Sequence, residues 1–218
     1  KAGIIKKNIP VVIGEKQKEV ENVFLKRAEE FNSEIFFASD NEYDYKTDLL
    51  GDYQKSNSKT VVEVIQKLKG FTVSEENIKK GLLNTVENTN LKGRWQVLKD
   101  SPKVICDTAH NKEGLSIVLN QLKKEKFTNL HFVLGVVSDK KLEEVLPLFP
   151  VDAKYYFCKP DIPRGLSELE LQEKAIKFNL IGDFFSSVKE ACNEALLNAN
   201  QEDIIYVGGS TFVVAEII

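Results

Sequence analysis

Asp107, Thr108, Ala109, His110 and Asn111 put a carboxylate, an imidazole and an amide into one short stretch. They follow the apolar run at residues 104–106 directly. They precede a segment with Leu115, Val118, Leu119 and Leu122 at helical spacing. A carboxylate at such a junction can accept from a ribose hydroxyl or face a cation. An imidazole there can hold an anion or move a proton near neutral pH, which makes His110 the candidate catalytic group. The helix start behind them favours negative ligands. The same residues also fit an Asp or Asn helix cap with His110 exposed by chance. Residue chemistry leaves the two readings open.

A second constellation is Gly208, Gly209 and Ser210, between an apolar run and the last helical segment. Glycines let a backbone turn and approach a ligand closely. Free N–H groups and the Ser210 hydroxyl could then bind a carboxylate or phosphate. The run is neither a dinucleotide fingerprint nor a P-loop, since no Lys follows it. A plain strand-to-helix turn with Ser210 as N-cap explains it equally well. Arg94 could clamp a phosphate, or be a surface arginine. Asn57, with Gly51, Tyr53 and Gln54, sits at a helix entry. Its amide can pair with adenine or with phosphate oxygens, or merely cap. Asp139 and Lys140 read as a solvated turn. His131 opens an apolar strand and reads as structural.

The elements that must hold these groups follow from periodicity. Strands are expected at 11–13, 34–38, 95–98, 104–106, 131–134, 154–157 and 204–207. Helices are expected over a charged stretch ending near Phe31, carrying Val20, Val23, Phe24 and Ala28, and over 57–69, with Val61, Val62, Ile65 and Leu68 on one face. A helix capped by Ser74 follows, with Glu75 and Glu76 in its first turn. Further helices are expected near 115–122, 142–146, 166–177, 188–196 and 211–218. Residues 40–52 read as a loop with a short strand. Residues 84–93, poor in core residues, read as a linker. Strands separated by helices need crossover connections, so the fold class is α/β with a mainly parallel sheet covered on both faces. Ligands in such sheets bind at the C-terminal strand ends, where both constellations lie.

Composition bounds the remaining classes. The 218 residues are 42% hydrophobic and 29% charged, with a net charge of -3, enough apolar surface for a core and too little basic excess for a nucleic-acid binder. Residues 1–92 are neutral overall, and residues 93–218 carry the acid. No run reaches the roughly 20 apolar residues of a membrane span, and the N-terminus lacks a signal-peptide pattern. Cys106, Cys158 and Cys192 are odd in number and widely spaced, which predicts reduced thiols in the cytoplasm. The sequence contains no methionine and opens on an apolar run, which predicts a piece of something longer.

Six stretches then converge. They are KAGIIK at 1–6 followed by PVVIG, LLGDYQKSN at 49–57, KGRWQVL at 92–98, CDTAHN at 106–111, FVLGVVSDK at 132–140 and VGGSTFVVAE at 207–216. In order and spacing the chain resembles the C-terminal part of a folylpolyglutamate synthase, or dihydrofolate synthase, of the Mur ligase superfamily. The resemblance implies a truncated part of the ATP-binding central domain over 1–88. A Rossmann-like, glutamate-binding C-terminal domain follows over 89–218. It implies a cytoplasmic, monomeric amide ligase that uses ATP and Mg2+. A carboxylate of a folate or dihydropteroate becomes an acyl phosphate, which the amine of L-glutamate attacks. By resemblance, Asn57, Arg94 and Asp107 contact ATP, His110 and Ser210 hold the glutamate, and Lys1, if carbamylated, assists a metal ion. The family's phosphate-binding loop is missing from the sequence, so the chain alone is expected to be inactive.

Other classes stay open at this point: a non-catalytic module binding glutamate or nucleotide, or a related cell-wall ligase. A Rossmann-type NAD enzyme fails on the missing GxGxxG.

Overall fold

The computed structural model describes residues 1–138 and 141–218. These divide into two compact units, Lys1–Asp48 with Tyr53–Asn90, and Leu49–Asp52 with Leu91–Ile218.

In the first unit, β1 (Val11–Ile13) and β2 (Ile35–Phe37) pair in parallel, with Val12 opposite Phe36. Parallel neighbours cannot be joined by a tight turn; here α1 (Glu21–Glu30) makes the crossover. Helix α2 (Gln54–Lys67) follows, then α3 (Glu75–Leu83), whose cap Ser74 accepts the Asn77 N–H as expected. No strand forms within 41–52. Glu63, buried on α2, instead accepts from Asn41 Nδ2 and the Tyr43 hydroxyl, both at 2.8 Å, and pairs with Lys67 at 3.2 Å. Side-chain hydrogen bonds thus fasten this segment in place of a ladder. Only part of the expected face of α2 turns inward: Val62 is buried and Ile65 packs against its cluster. Gln54, Ser58 and Val62 form its buried stripe at i, i+4 and i+8, while Val61 and Leu68 are exposed. The expected linker contains a short helix, α4 (Thr85–Thr89).

The second unit holds a six-stranded sheet. Its strands are β3 (Gln96–Asp100), β4 (Lys103–Cys106), β5 (Leu130–Leu134), β6 (Lys154–Cys158), β7 (Gly182–Phe185) and β8 (Ile204–Gly208). Their spatial order is β3-β4-β8-β5-β6-β7, parallel throughout except for β3 against β4. This is the expected α/β class with a mainly parallel sheet. Helices α5 (Lys112–Leu122), α6 (Leu142–Val145), α7 (Glu168–Ile176), α8 (Val188–Asn198) and α9 (Thr211–Ala215) connect or follow the strands. Strand β7 goes beyond the expected set, and α9 is shorter than expected.

The central strands β5 and β8 are buried at every position, as strands covered on both faces must be. On one face Cys106, Val133, Tyr156 and Val207 pack with Ala191 and Ala195 of α8 and Val213 of α9. On the other, Phe132 stacks on Tyr155 at 5.3 Å, and Tyr155 on Phe157 at 5.6 Å. The three cysteines are unpaired thiols; burial pushes Cys106 and Cys192 up to about 12 and raises Cys158 as well. None is a nucleophile near neutral pH.

The segment Leu49–Asp52 belongs to this second unit through α5. Gln121 Oε1 accepts the Asp52 N–H at 2.6 Å, Gln121 Nε2 donates to the Leu50 carbonyl at 2.9 Å, and Lys124 pairs with Asp52 at 2.7 Å.

Candidate functional site

Because β4 and β5 both run parallel to β8, their C-terminal ends share one edge of the sheet. The Asp107 N–H donates to the Val207 carbonyl at 3.2 Å, and the Gly135 N–H to the Gly208 carbonyl at 3.3 Å. The segments 107–111 and 208–210 therefore leave adjacent strands at the same edge. Antiparallel β3 brings Gln96 opposite Cys106, so Arg94 reaches that edge too.

The Arg94 turn is held in an uncommon conformation. Gly93 and the buried Trp95 both have left-handed backbones, with φ of +70° and +48°. For a bulky residue such as Trp95 this is strained, by about 1–3 kcal/mol. Asp107 supplies the restraint: Oδ2 accepts the Trp95 N–H at 2.7 Å and Oδ1 the Ala109 N–H at 2.8 Å. Its carboxylate is 1% exposed, between two backbone amides. Arg94 itself is exposed, and its Nη1 donates to the Thr108 hydroxyl.

His110 is exposed, and its Nδ1 lies 2.9 Å from the Thr108 carbonyl. A carbonyl only accepts, so Nδ1 carries the proton and Nε2 is left as the basic nitrogen. Asn111 caps α5 by accepting the Gly114 N–H at 2.8 Å. Ser210 is buried, and its Oγ accepts the Phe212 N–H at 3.2 Å. Gly209 before it has φ +92°; a Cβ there would lie 2.6 Å from Leu134 Cδ1 and 2.7 Å from the Gly135 carbonyl oxygen. Both the conformation and the space demand glycine.

His131 is buried at the opposite end of β5, 3.0 Å from the Tyr156 hydroxyl and 3.4 Å from Asp203, and is structural as expected. Asp139 and Lys140 lie outside the described residues.

The first unit has its own concavity, about 400 Å³ in volume, at the C-terminal end of β1. Lys1, Gly14, Glu15, Ser56, Asn57 and Thr60 are among its lining residues. The Ser56 hydroxyl donates to Glu15 at 3.2 Å, and Asn57 Nδ2 to Gln54 at 2.8 Å. A Cβ on Gly14 would lie 3.0 Å from Thr60 Oγ1, so the glycine keeps the strand end open. The volume and polar donors suit part of a nucleotide. They do not form a cation site. The concavity offers one carboxylate beside a lysine, and no cluster of three His, Cys, Asp or Glu suited to a metal occurs among the described residues. No helix among those residues is long and apolar enough to cross a membrane.

Residues 93–211, more than half the chain, match the family model for the Mur ligase, glutamate ligase domain. The chain belongs to the Mur ligase family. It is also homologous to the folate-linked branch. The dihydrofolate synthase/folylpolyglutamate synthase of Escherichia coli is 30% identical over 68% of this chain and 34% of its own length. The structure of E. coli FolC with DHPP and ADP superposes with a TM-score of 0.84 at 24% identity, covering 99% of this chain and 54% of that one. The bifunctional folylpolyglutamate synthase/dihydrofolate synthase of Yersinia pestis, complexed with AMPPNP and Mn ion, gives 0.80 at 22%, over 99% and 54%. This Mur ligase chain thus spans about half the length of the solved chains it matches.

Arg94, Asp107, His110 and Ser210 all fall inside the matched Mur ligase domain, at one sheet edge. Lys1 and Asn57 lie in the other unit, on one concavity. Two residues of the site were not legible as functional. Trp95 carries no sequence signal for its left-handed backbone. Thr108 stands within CDTAHN, but only the fold shows its hydroxyl and carbonyl meeting different partners.

Proposed function

We propose that this chain is the C-terminal part of a cytoplasmic, monomeric ligase that uses ATP and Mg2+ to add L-glutamate to a folate, to dihydropteroate, or to both. Residues 1–88 would be part of its ATP-binding central domain and residues 89–218 its glutamate-binding domain. The observation that carries the reading is the gathering of Arg94, His110 and Ser210 at the C-terminal edge of β4 and β8 within a glutamate ligase domain. A carboxylate is a poor electrophile until one oxygen becomes a phosphate leaving group. The protein's task is therefore to position reactants and balance phosphate charge.

Each side chain has a role that its geometry supports. Arg94, anchored through Nη1, has further N–H donors for phosphate oxygens. Asp107 acts on the nucleotide by fixing the Arg94 turn. The basic Nε2 of His110 accepts from the glutamate amine or takes its proton, and the Ser210 hydroxyl donates to a glutamate carboxylate. Asn57 contributes nucleotide contacts from the first unit's concavity. Metal binding at Lys1 would require conversion of its ammonium to a carbamate, because the residues present do not otherwise fit a cation. A divalent ion, when bound, supplies charge neutralisation at phosphate oxygens; the steps above run through the chain's own groups.

The test is ADP release by the protein in its full native length. Turnover that needs ATP, a folate or dihydropteroate and L-glutamate together is the expected result. The 218 residues alone should release no ADP, because no glycine in them is followed by lysine to cradle phosphates. ADP release by the full-length protein that ignores glutamate would overturn the reading.

A further inference from the structure

Thr108 lies between two of the proposed ligand groups, and each of its polar groups has a partner. Its N–H donates to the Gly93 carbonyl at 3.0 Å, and its carbonyl accepts from His110 Nδ1 at 2.9 Å. Its hydroxyl accepts from Arg94 Nη1. The residue is buried, and its methyl group is seated against Gly93: a Cβ added there would be 2.9 Å from Thr108 Cγ2. A β-branched side chain has few χ1 options. With the methyl seated, the hydroxyl points at the guanidinium.

We propose that Thr108 is a positioning residue for Arg94, holding the guanidinium at a fixed offset from the His110 imidazole. The proposal rests on the reading of Arg94 as a nucleotide contact and His110 as a glutamate contact. Tethering Nη1 removes rotamer freedom from a long side chain before the nucleotide arrives, so less is lost on binding. It also faces the remaining N–H donors away from Thr108. Because the same residue's backbone carbonyl orients His110, the two ligand groups share one anchor. Valine at this position would keep the shape and the backbone bonds while removing only the tether.

Steady-state kinetics on the full-length protein test this, comparing wild type with T108V, T108S, R94A and R94A/T108V. T108V should raise KM for ATP about tenfold, the size of losing a hydrogen bond to a charged group, and leave KM for glutamate within about twofold. T108S, which keeps the hydroxyl, should restore KM for ATP to within about threefold of wild type. In the R94A background T108V should add less than about twofold, since the tether then has nothing to hold. If T108V fails to fold, T108A removes the hydroxyl without adding bulk and carries the same expectation. A raised KM for ATP in R94A with none in T108V would overturn the proposal and leave the nucleotide reading standing. Full additivity of R94A and T108V would make Thr108 merely structural. An R94A protein with unchanged KM for ATP would overturn the nucleotide reading and the proposal together.

Discussion

The two histidines sit at opposite ends of the sheet. His110 is exposed at the C-terminal strand edge. His131 is buried beside Asp203 and Tyr156, and burial lowers its pKa below the usual imidazole value despite the nearby carboxylate. Burial would raise Asp203, but hydrogen bonds from Asn200, Asn129 and His131 outweigh it and hold the carboxyl below its ordinary value. Both shifts act in the same direction. As pH falls through the ordinary histidine range, an unfolded chain takes up a proton that folded His131 refuses, so stability drops. The slope from this one site is at most about 1.4 kcal/mol per pH unit. Urea denaturation between pH 7.5 and 5 should show it, and His131→Gln should make the decline shallower. An unaltered slope would assign the pH dependence elsewhere. Asp107 shows where residue chemistry reaches its limit. An acid next to a strand end reads as a ligand contact, but whether its oxygens face a ligand or two backbone amides depends on Trp95, twelve positions away in the chain.

At the scale of elements, two glycines give opposite forecasts. Gly209 connects β8 to α9 with a left-handed backbone and no room for a Cβ. Gly209→Ala should destabilise the second unit by about 2 kcal/mol or more and disturb the turn that carries Ser210. Gly81 lies within helix α3, exposed, and a Cβ added to it would meet nothing within 4 Å. Gly81→Ala should stabilise by about 0.5–1 kcal/mol. Denaturation midpoints of the two variants check both signs. The same contrast explains which elements the sequence discloses. Strand β8 is a continuous apolar run and β5 is broken only by His131, so both are legible at once. Strand β7 is only Gly182, Asp183, Phe184 and Phe185 at the sheet edge, with Asp183 and Phe184 exposed, so neither alternation nor a run marks it. Helix α2 buries the polar Gln54, Ser58 and Glu63, with Gln54 accepting from Asn57 and Glu63 from Asn41, and so defeats a search for an apolar face.

Across the whole molecule, the chain enters the second unit at Leu49, leaves after Asp52 and returns at Leu91. The four-residue strap rests on Gln121, which is 9% exposed and whose amide bonds the Leu50 carbonyl and the Asp52 N–H. Gln121→Ala should therefore lower the stability of the second unit by about 1–2 kcal/mol, the net worth of two part-buried hydrogen bonds. Residues 91–218 expressed alone should melt below the same residues within the intact chain, and Gln121→Ala should have little further effect there. Equal melting temperatures would mean the strap contributes nothing. The division between α4 and β3, visible as a polar stretch in the sequence, is thus one of three crossings; the other two flank LLGD and carry no compositional mark. For anyone building chimeras between relatives, the transplantable cassette is discontinuous: the glutamate ligase domain has to travel with a tetrapeptide encoded about forty codons upstream, or it arrives missing a piece of its own surface.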